Sequence, residues 1–166
     1  MSEEIIDIVD ENDNIIGQDT KKNAHTLGKL HRCAGFFIFK EESFKNVLVQ
    51  KSKKDGKYRF PGGHLLVGET YLHGGLRELH EEMLVDKWLP DVEITPLFRF
   101  KVLDSKEFVL AYRMVYFGPF SLNHEEVEEY FFVDIKELFS RVEKDPSSYI
   151  YIKPALEEYK KRGYVK

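Results

Sequence analysis

The stretch at residues 62–85, GGHLLVGETYLHGGLRELHEEMLV, constrains this chain more than any other part of its sequence. A glycine-rich turn leads into a segment with helical spacing that ends in three carboxylates, Glu78, Glu81 and Glu82. Positions i, i+3 and i+4 of a helix are surface neighbours, so these like charges repel by about 0.2–0.5 kcal/mol per pair. Glu81 and Glu82 also fall near the negative end of the helix dipole, where cations are preferred. The segment therefore favours an external cation.

Clustered carboxylates on a rigid helix suit a hard divalent metal ion. Mg²⁺ and Mn²⁺ take oxygen ligands and commonly keep positions open for substrate phosphates. The alternative is an exposed acidic helix face, which is what most runs of charge are. From the helix alone, the two interpretations are evenly matched.

The spacing of the whole stretch separates these interpretations. Gly63, Glu69 and the run Arg77-Glu78-Leu79-His80-Glu81-Glu82 match the Nudix box, G-x5-E-x7-R-E-U-x-E-E-x-G-U, where U is an aliphatic residue. With residue frequencies of about 1/15, the probability that all six fixed positions match by chance at a given starting position is on the order of 10⁻⁷. The chain therefore resembles Nudix enzymes, with the box at residues 63–85.

Three positions in the box predict details of its helix. Leu84 stands where the family has a glycine that closes the helix, so we expect the helix to run on toward Asp86 or Lys87. Gly74 and Gly75 lie inside the helix, where each costs up to about 1 kcal/mol relative to alanine. We therefore expect that helix face to pack closely on a strand or a loop.

Length and composition predict one soluble globular domain at residues 1–166, with 42% hydrophobic and 33% charged residues. The formal net charge of −4 gives no general basis for binding a nucleic acid polymer. The N-terminal segment lacks a secretory signal pattern, and no stretch approaches the roughly 20 apolar residues of a membrane span. The single cysteine, Cys33, agrees with the cytoplasm, and its apolar surroundings favour a buried structural thiol over a nucleophile.

Hydrophobic patterns predict a mixed β-sheet flanked by helices, an α/β/α sandwich. Strands are predicted at residues 5–9, 15–18, 33–39, 47–50, 92–103, 108–117 and 130–133. The strand at 33–39 is apolar enough to be buried on both faces. Besides the box helix, helices are predicted at residues 135–142 and 152–161, and residues 21–29 are interpreted as a polar connector.

A basic loop at residues 51–59 directly precedes the glycine-rich turn. Its candidates for holding a diphosphate beside a bound metal are Lys51, Lys53, Lys54 and Arg59. A solvated lysine loop is the alternative, and for any single lysine it is the favoured one. Three nearby aromatic residues either stack a base, line an isoprenoid pocket or pack in the core: Tyr58, Phe60 and Trp88.

The resemblance to Nudix hydrolases implies a reaction in which water attacks a diphosphate linked to a nucleoside or another group. Carried over by position, it implies that the residues binding Mg²⁺ or Mn²⁺ or orienting the water are Glu78, Glu81 and Glu82. It also implies that Gly63 offers its carbonyl oxygen, Glu69 supports the site and Arg77 fixes a carboxylate. Such a metal neutralises charge developing on phosphate and lowers the pKa of bound water. Which glutamate is the general base stays open.

Four further segments, VDENDNIIGQ, AHTLGKLHR, PGGH and EEVEEYFFVDIKEL, resemble the Nudix branch that contains isopentenyl-diphosphate isomerase. Those isomerases have a catalytic cysteine at the position of Gly62, so isomerase chemistry here lacks one of its two proton-transfer partners. The resemblance also implies a second metal site, although Ser105 replaces one expected carboxylate. Its members suit Zn²⁺, Mn²⁺ or Fe²⁺ and are His25, His31, His64 and Glu107.

The sequence thus predicts a metal-dependent hydrolase that acts on a small-molecule diphosphate. One alternative is a diphosphate isomerase of the isoprenoid type. Another is a non-catalytic Nudix module that binds a nucleotide or a protein, but such modules usually have eroded box carboxylates, and here all four are present. The substrate and the oligomeric state stay open, with a homodimer among the alternatives.

Overall fold

The computed structural model describes residues 3–83 and 92–165. Within these residues the elements are, in chain order, β1 Ile5–Val9, β2 Ile15–Thr20, α1 Lys21–Thr26, β3 His31–Phe39, β4 Asn46–Ser52, β5 Tyr58–Arg59, β6 Gly62–His64, α2 Tyr71–Met83, β7 Ile94–Val102, β8 Glu107–Val115, β9 Val127–Asp134, α3 Ile135–Lys144 and α4 Lys153–Lys161. In this part of the chain no helix combines the length and apolar character needed to cross a membrane.

The strands form one mixed sheet around β3. β3 runs parallel to β8 and antiparallel to β1, β4 and β6. β7 continues the sheet beyond β8, β2 pairs with β1, and both β5 and β9 pair with β4. The central strand β3 therefore lies between β6, at the start of the box, and the first residues of β8.

Helices cover both faces of this sheet. Successive side chains of a strand point to opposite faces, and Phe36 packs with Leu79 of α2 on one face. Phe37 packs with Leu138 of α3 and Leu156 of α4 on the other face. All five side chains are at most 1% exposed. The predicted α/β/α sandwich and the burial of β3 on both faces are confirmed.

The two glycines inside α2 lie where this helix approaches the sheet most closely. A Cβ atom on Gly75 would lie 2.9 Å from both Ala34 Cβ and Phe36 Cε2, and one on Gly74 would lie 2.8 Å from Leu65 Cγ. Close packing of this face was predicted, and it is confirmed. It places the box helix directly against β3 and the end of β6.

The prediction of a connector at residues 21–29 was wrong over its first part, which forms α1. The Thr20 hydroxyl accepts a hydrogen bond from Asn23 N–H at 3.1 Å and caps this helix. Its buried residue, Ala24, packs with Ile6 and Ile8. One buried alanine gives no helical period that a sequence can reveal.

Other differences lie at the ends of strands. β9 begins at Val127 rather than at residue 130, because the exposed residues Glu128 and Glu129 hid the start of the strand. β5 and β6 were not predicted, since two or three residues show no alternation. The predicted extension of the box helix past Leu84 falls outside the described residues.

Candidate active site and metal centre

Glu78 lies against the backbone of β6. A Cβ atom on Gly63 would lie 2.5 Å from Glu78 Oε2, so only glycine lets the carboxylate reach this position. The Glu78 side chain is 13% exposed. Burial raises the pKa of Glu78 to about 7, although the neighbouring Arg77 guanidinium acts in the opposite direction. The Glu78 carboxylate therefore lies directly against the Gly63 backbone.

Glu82 lies one turn further along α2 and is 8% exposed. Its Oε2 accepts a hydrogen bond from Gly62 N–H at 2.9 Å. The side-chain amide of Gln50 also faces this carboxylate as a donor. Burial nevertheless raises the pKa of Glu82 to about 8. The charge on Glu82 is thus only partly compensated within the described part of the protein, and a nearby cation would stabilise it.

Arg77 links the remaining box carboxylates. It donates through Nε and Nη2 to Glu69 at 2.8 and 3.0 Å, and through Nη1 to Glu78 and Glu81, both at 2.9 Å. Its Nη2 also donates to the His64 carbonyl oxygen at 2.8 Å. Glu81 is the most accessible of these acids, with 44% of its side chain exposed. The guanidinium therefore fixes three carboxylates and joins α2 to β6.

The structure brings all five residues predicted to be catalytic, and the backbone of Gly63, together along the side of α2 that meets β6. One buried carboxylate, one largely buried carboxylate, a more exposed third one and a backbone carbonyl make an oxygen-only donor set. Hard divalent cations require such donors. The residues present therefore fit Mg²⁺ or Mn²⁺.

A second cluster of potential metal ligands includes His64, the residue that follows Gly63 in the chain. Its potential ligand atoms, from His25, His31, His64 and Glu107, all lie within 4.8 Å of one another. The two Nε2 atoms of His25 and His64 are 2.9 Å apart, and Glu107 Oε1 is 3.7 Å from His64 Nε2 and 3.8 Å from His31 Nε2. Two ligands bound at about 2.1 Å in a tetrahedral site lie about 3.4 Å apart. The observed separations bracket this value.

The orientation of His31 supports a ligand at this cluster. The ring is fully buried, and its Nδ1 donates to the Lys29 carbonyl oxygen at 2.8 Å. In the neutral ring, Nε2 therefore carries a lone pair, and this buried atom has no hydrogen-bond partner among the described residues. Fixing one ring nitrogen by a carbonyl is how proteins orient a metal-binding histidine. The donor set fits a transition metal ion such as Zn²⁺, Mn²⁺ or Fe²⁺.

Glu107 completes this cluster from the start of β8, and Cys33 lies next to it. Burial raises the pKa of Glu107, whereas the Ser105 hydroxyl and the Cys33 thiol beside its carboxylate act in the opposite direction. Burial, followed by the charge of Glu107, raises the pKa of the Cys33 thiol well above its usual value. The prediction that this thiol is buried is confirmed.

Of the four basic candidates in the loop at residues 51–59, two have partners away from the box carboxylates. Lys51 pairs with Glu128 at 2.9 Å, and Lys53 donates to the His124 carbonyl oxygen at 2.8 Å. Lys54 lies close enough to His25 for its charge to act on that pKa after the larger effect of burial. Two of the three aromatic candidates, Tyr58 and Phe60, pack against the core, and Trp88 falls outside the described residues.

Arg59 is the member of this loop that the structure directs most clearly to the box. Its charge favours ionisation of Glu82 and Glu107, although burial has the larger effect on both pKa values. Asp55 accepts from Nη2 of Arg59 at 2.8 Å through each carboxylate oxygen, and the guanidinium lies 4.6 Å from the Tyr151 ring centre. In this state Asp55 and the Tyr151 ring contact the guanidinium, while its charge acts on Glu82 and Glu107.

A family model described as the NUDIX domain matches residues 29–155. The chain belongs to the Nudix family. Isopentenyl-diphosphate Delta-isomerase 2 of Photorhabdus laumondii is 30% identical over 89% of this chain and 86% of its own length. An uncharacterized Nudix hydrolase of Streptomyces coelicolor is 33% identical over 85% of this chain and 80% of its own. Both kinds of Nudix protein are thus among its relatives.

Solved structures agree with the Nudix fold. The crystal structure of DR0079 from Deinococcus radiodurans matches with a TM-score of 0.71 and 19% identity. The match covers 85% of this chain and 90% of that one. At this level of identity, the likeness shows the fold alone.

Gly62 lies at the position where the resemblance to the isomerases implies a catalytic cysteine. Gly62 has a φ of +133°, and a Cβ atom on it would lie 2.1 Å from the Ala34 carbonyl oxygen and 2.9 Å from Gly35 Cα. The Ala34 oxygen and the Gly35 Cα are backbone atoms of the central strand β3, so they cannot shift as easily as the end of a side chain. This backbone therefore has no room for a side chain at that position.

Two residues near the site were not singled out from the sequence. Lys21 lies close enough that its charge acts, after burial, on the pKa values of Glu78, His64 and Glu107. Lys21 lies four residues before His25. Had α1 been predicted, this spacing would have placed the two side chains on the same face of the helix. The second is Gln50, whose contact with Glu82 depends on packing between β4 and α2 and leaves no signal in the sequence.

Proposed function

We propose that this Nudix protein is a metal-dependent hydrolase that cleaves a diphosphate linkage in a small-molecule substrate. The diphosphate joins a nucleoside or another group, and Mg²⁺ or Mn²⁺ is bound by the box carboxylates. We also propose that it acts in the cytoplasm, in keeping with a single, buried thiol at Cys33. The name of the Streptomyces coelicolor relative supports the class of reaction.

One observation carries this proposal: Glu82 is buried and Glu78, one helical turn before it, is largely buried, and burial raises their pKa values to about 8 and about 7. Burying ionisable groups without full compensation destabilises the metal-free protein. A divalent cation bound between them would reverse that cost. Such a pair is expected of a metal site and is not expected of a helix that only covers a sheet.

The chain's own residues supply binding and orientation. Glu78, Glu82 and the Gly63 carbonyl would hold the metal, and Arg77 donates a hydrogen bond to Glu78. When bound, the metal would lower the pKa of a water molecule and neutralise charge on the phosphates. Glu81, the more accessible carboxylate, would accept a proton from the attacking water.

Two cations whose charges act on Glu78 and Glu82 would bind the substrate's phosphates. Arg59 is held by Asp55, and Lys21 is held by Glu4 at 2.7 Å. A guanidinium with fixed geometry binds two phosphate oxygens at once, whereas the lysine acts as a point charge. Together they favour a diphosphate over a single phosphate.

The proposal is tested by phosphate or pyrophosphate release from a panel of diphosphates with Mg²⁺ or Mn²⁺. The panel contains nucleoside triphosphates, sugar nucleotides, dinucleotides and isopentenyl diphosphate. We expect one class to be cleaved, with turnover at least about 100-fold lower in Glu82→Gln. Glu143→Gln, an exposed glutamate of α3, is the matched control and should keep wild-type turnover. Metal binding without cleavage of any panel member would instead indicate a non-catalytic binding module.

A second candidate is the alkene shift of an isoprenoid diphosphate. The cluster of His25, His31, His64 and Glu107 favours it, as do the named activities of the isomerase relatives. Gly62 argues against it, because glycine supplies no acid at the position where the resemblance to the isomerases implies a catalytic cysteine. An assay for conversion of isopentenyl to dimethylallyl diphosphate distinguishes the two, since a hydrolase releases phosphate and leaves the alkene in place.

A further inference from the structure

Gln50 occupies an unfavourable environment for an amide. It lies on β4 with 1% of its surface exposed, and its Oε1 atom has no hydrogen-bond partner among the described residues. A buried acceptor without a donor is destabilising, because it loses its hydrogen bond to water and gains none in the protein. A leucine would fill a similar volume without this cost, so packing alone does not explain the amide.

The nitrogen end of this amide faces a metal-binding carboxylate. Glu82 takes a hydrogen bond from Gly62 N–H on one side, and the Gln50 amide lies on another side as a donor. Two donors from different strands leave the carboxylate little freedom to rotate. Gln50 thus helps to decide which way the oxygens of Glu82 point.

The oxygen end of the amide lies next to a matching donor. Arg59 is the cross-strand partner of Gln50 between β4 and β5, so the two side chains stand on the same face of the sheet. The Nε atom of Arg59 is buried and has no hydrogen-bond partner in the described part of the chain. Asp55 holds the other end of the guanidinium through Nη2. One unpaired donor and one unpaired acceptor therefore lie on adjacent, paired residues.

We propose that Gln50 is a positioning residue that connects Glu82 to Arg59. Its amide nitrogen holds Glu82 in the orientation that binds metal, and its Oε1 accepts Nε–H of Arg59 when a phosphate draws the guanidinium inward. The second half of this inference rests on the proposed function. Metal binding and phosphate binding are coupled through one side chain, and both buried atoms find their partners in the loaded site.

The first half is tested without turnover, by titrating the metal-free protein with Mn²⁺ and following free Mn²⁺ by electron paramagnetic resonance. Loss of a residue that orients a ligand typically weakens metal binding 10- to 100-fold. We expect Gln50→Leu to raise at least about 10-fold the dissociation constant of the Mn²⁺ site that Glu82→Gln removes, while the protein stays folded. Gln18→Leu, which removes an amide on β2 that donates to Asp7, should leave it unchanged. Unchanged Mn²⁺ binding in a folded Gln50→Leu protein would overturn the proposal.

Gln50→Asn provides a second variant in case the leucine variant does not fold. It keeps the amide on a side chain that is shorter by one methylene, so it should fold and still bind Mn²⁺ more weakly than wild type. Wild-type affinity in a folded Gln50→Asn protein would equally overturn the proposal.

The second half is tested by a double-mutant cycle with Arg59→Lys on the substrate found in the panel. Lysine keeps the charge but has no Nε–H at that position. If Gln50 acts through this donor, Arg59→Lys should raise KM less in the Gln50→Leu background than in wild type. Strictly additive effects would refute the connection. Absence of any cleavage by wild type would refute the proposed function, whereas the Mn²⁺ titration would still decide the role of Gln50.

Discussion

The buried box carboxylates predict that the metal-free protein loses stability as the pH rises above neutrality. The pKa values of Glu78 and Glu82 are raised from 4.5 to about 7 and about 8, mainly by burial. The folded protein therefore binds more protons than the unfolded chain between about pH 4.5 and pH 8. Wherever the folded state binds more protons, the free energy of unfolding falls as pH increases.

The size of this effect follows from the two pKa values. Between pH 7 and pH 8.5, the Glu82 carboxyl accounts for a loss of roughly 1 kcal/mol and the Glu78 carboxyl for a few tenths more. The neighbouring histidines contribute little in this window, because burial lowers the pKa values of His25, His31 and His64 below 6.5. The expected total is about 1.5 kcal/mol.

Urea unfolding of chelator-treated protein at pH 7 and pH 8.5 measures this difference directly. Glu82→Gln should reduce the loss to less than about 0.5 kcal/mol, because only the Glu78 contribution remains. Saturating Mg²⁺ should abolish it, since the metal favours the ionised carboxylates in the folded state. A free energy of unfolding that stays constant or rises with pH in the metal-free wild type would refute the reasoning. An equal loss in Glu82→Gln would refute it too.

Three further predictions follow from the packing and the second cluster. Gly62→Ala should lower the free energy of unfolding by more than about 2 kcal/mol in urea, because its Cβ would lie 2.1 Å from the Ala34 carbonyl oxygen. Gly75→Ala should destabilise by about 1–3 kcal/mol in the same assay despite its better helix propensity, because the methyl group overlaps Phe36; a more stable variant would show that α2 can shift. His31→Gln should weaken Co²⁺ binding at least about 10-fold, followed by visible absorption, while Mg²⁺ binding stays unchanged; equal weakening of both would show that the two sites are one.

The part of the site that lies in one continuous stretch could be predicted from the sequence. Glu69, Arg77 and the glutamates that follow are separated by fixed numbers of residues, and helical geometry converts such spacing into relative position. Strands with strong apolar patterns could also be predicted. Burial of β3 on both faces, for example, requires an unbroken apolar run in the sequence. Local geometry was sufficient in both cases.

Residues placed by tertiary packing could not be predicted in this way. Gln50 reaches Glu82 from a strand 32 positions away in the chain, and its environment depends on how β4 lies under α2. Lys21 is the first residue of α1, a six-residue helix with one buried side chain, and its charge acts on all three histidines of the second cluster. Neither a period nor a spacing encodes these contacts. Only the pairing of strands and the docking of helices create them.

The features that make α2 a poor structural helix have one physical explanation. Gly74 and Gly75 give up helix propensity so that the helix can lie directly on β3. That close approach carries Glu78 to the backbone of Gly63 and buries Glu82, where ionised carboxylates are unfavourable without a cation. A helix needed only to cover the sheet would have alanine at the first two positions and apolar side chains at the last two. Local rules are broken here at four positions that converge on the same point, which is expected of a site built to bind metal and phosphate.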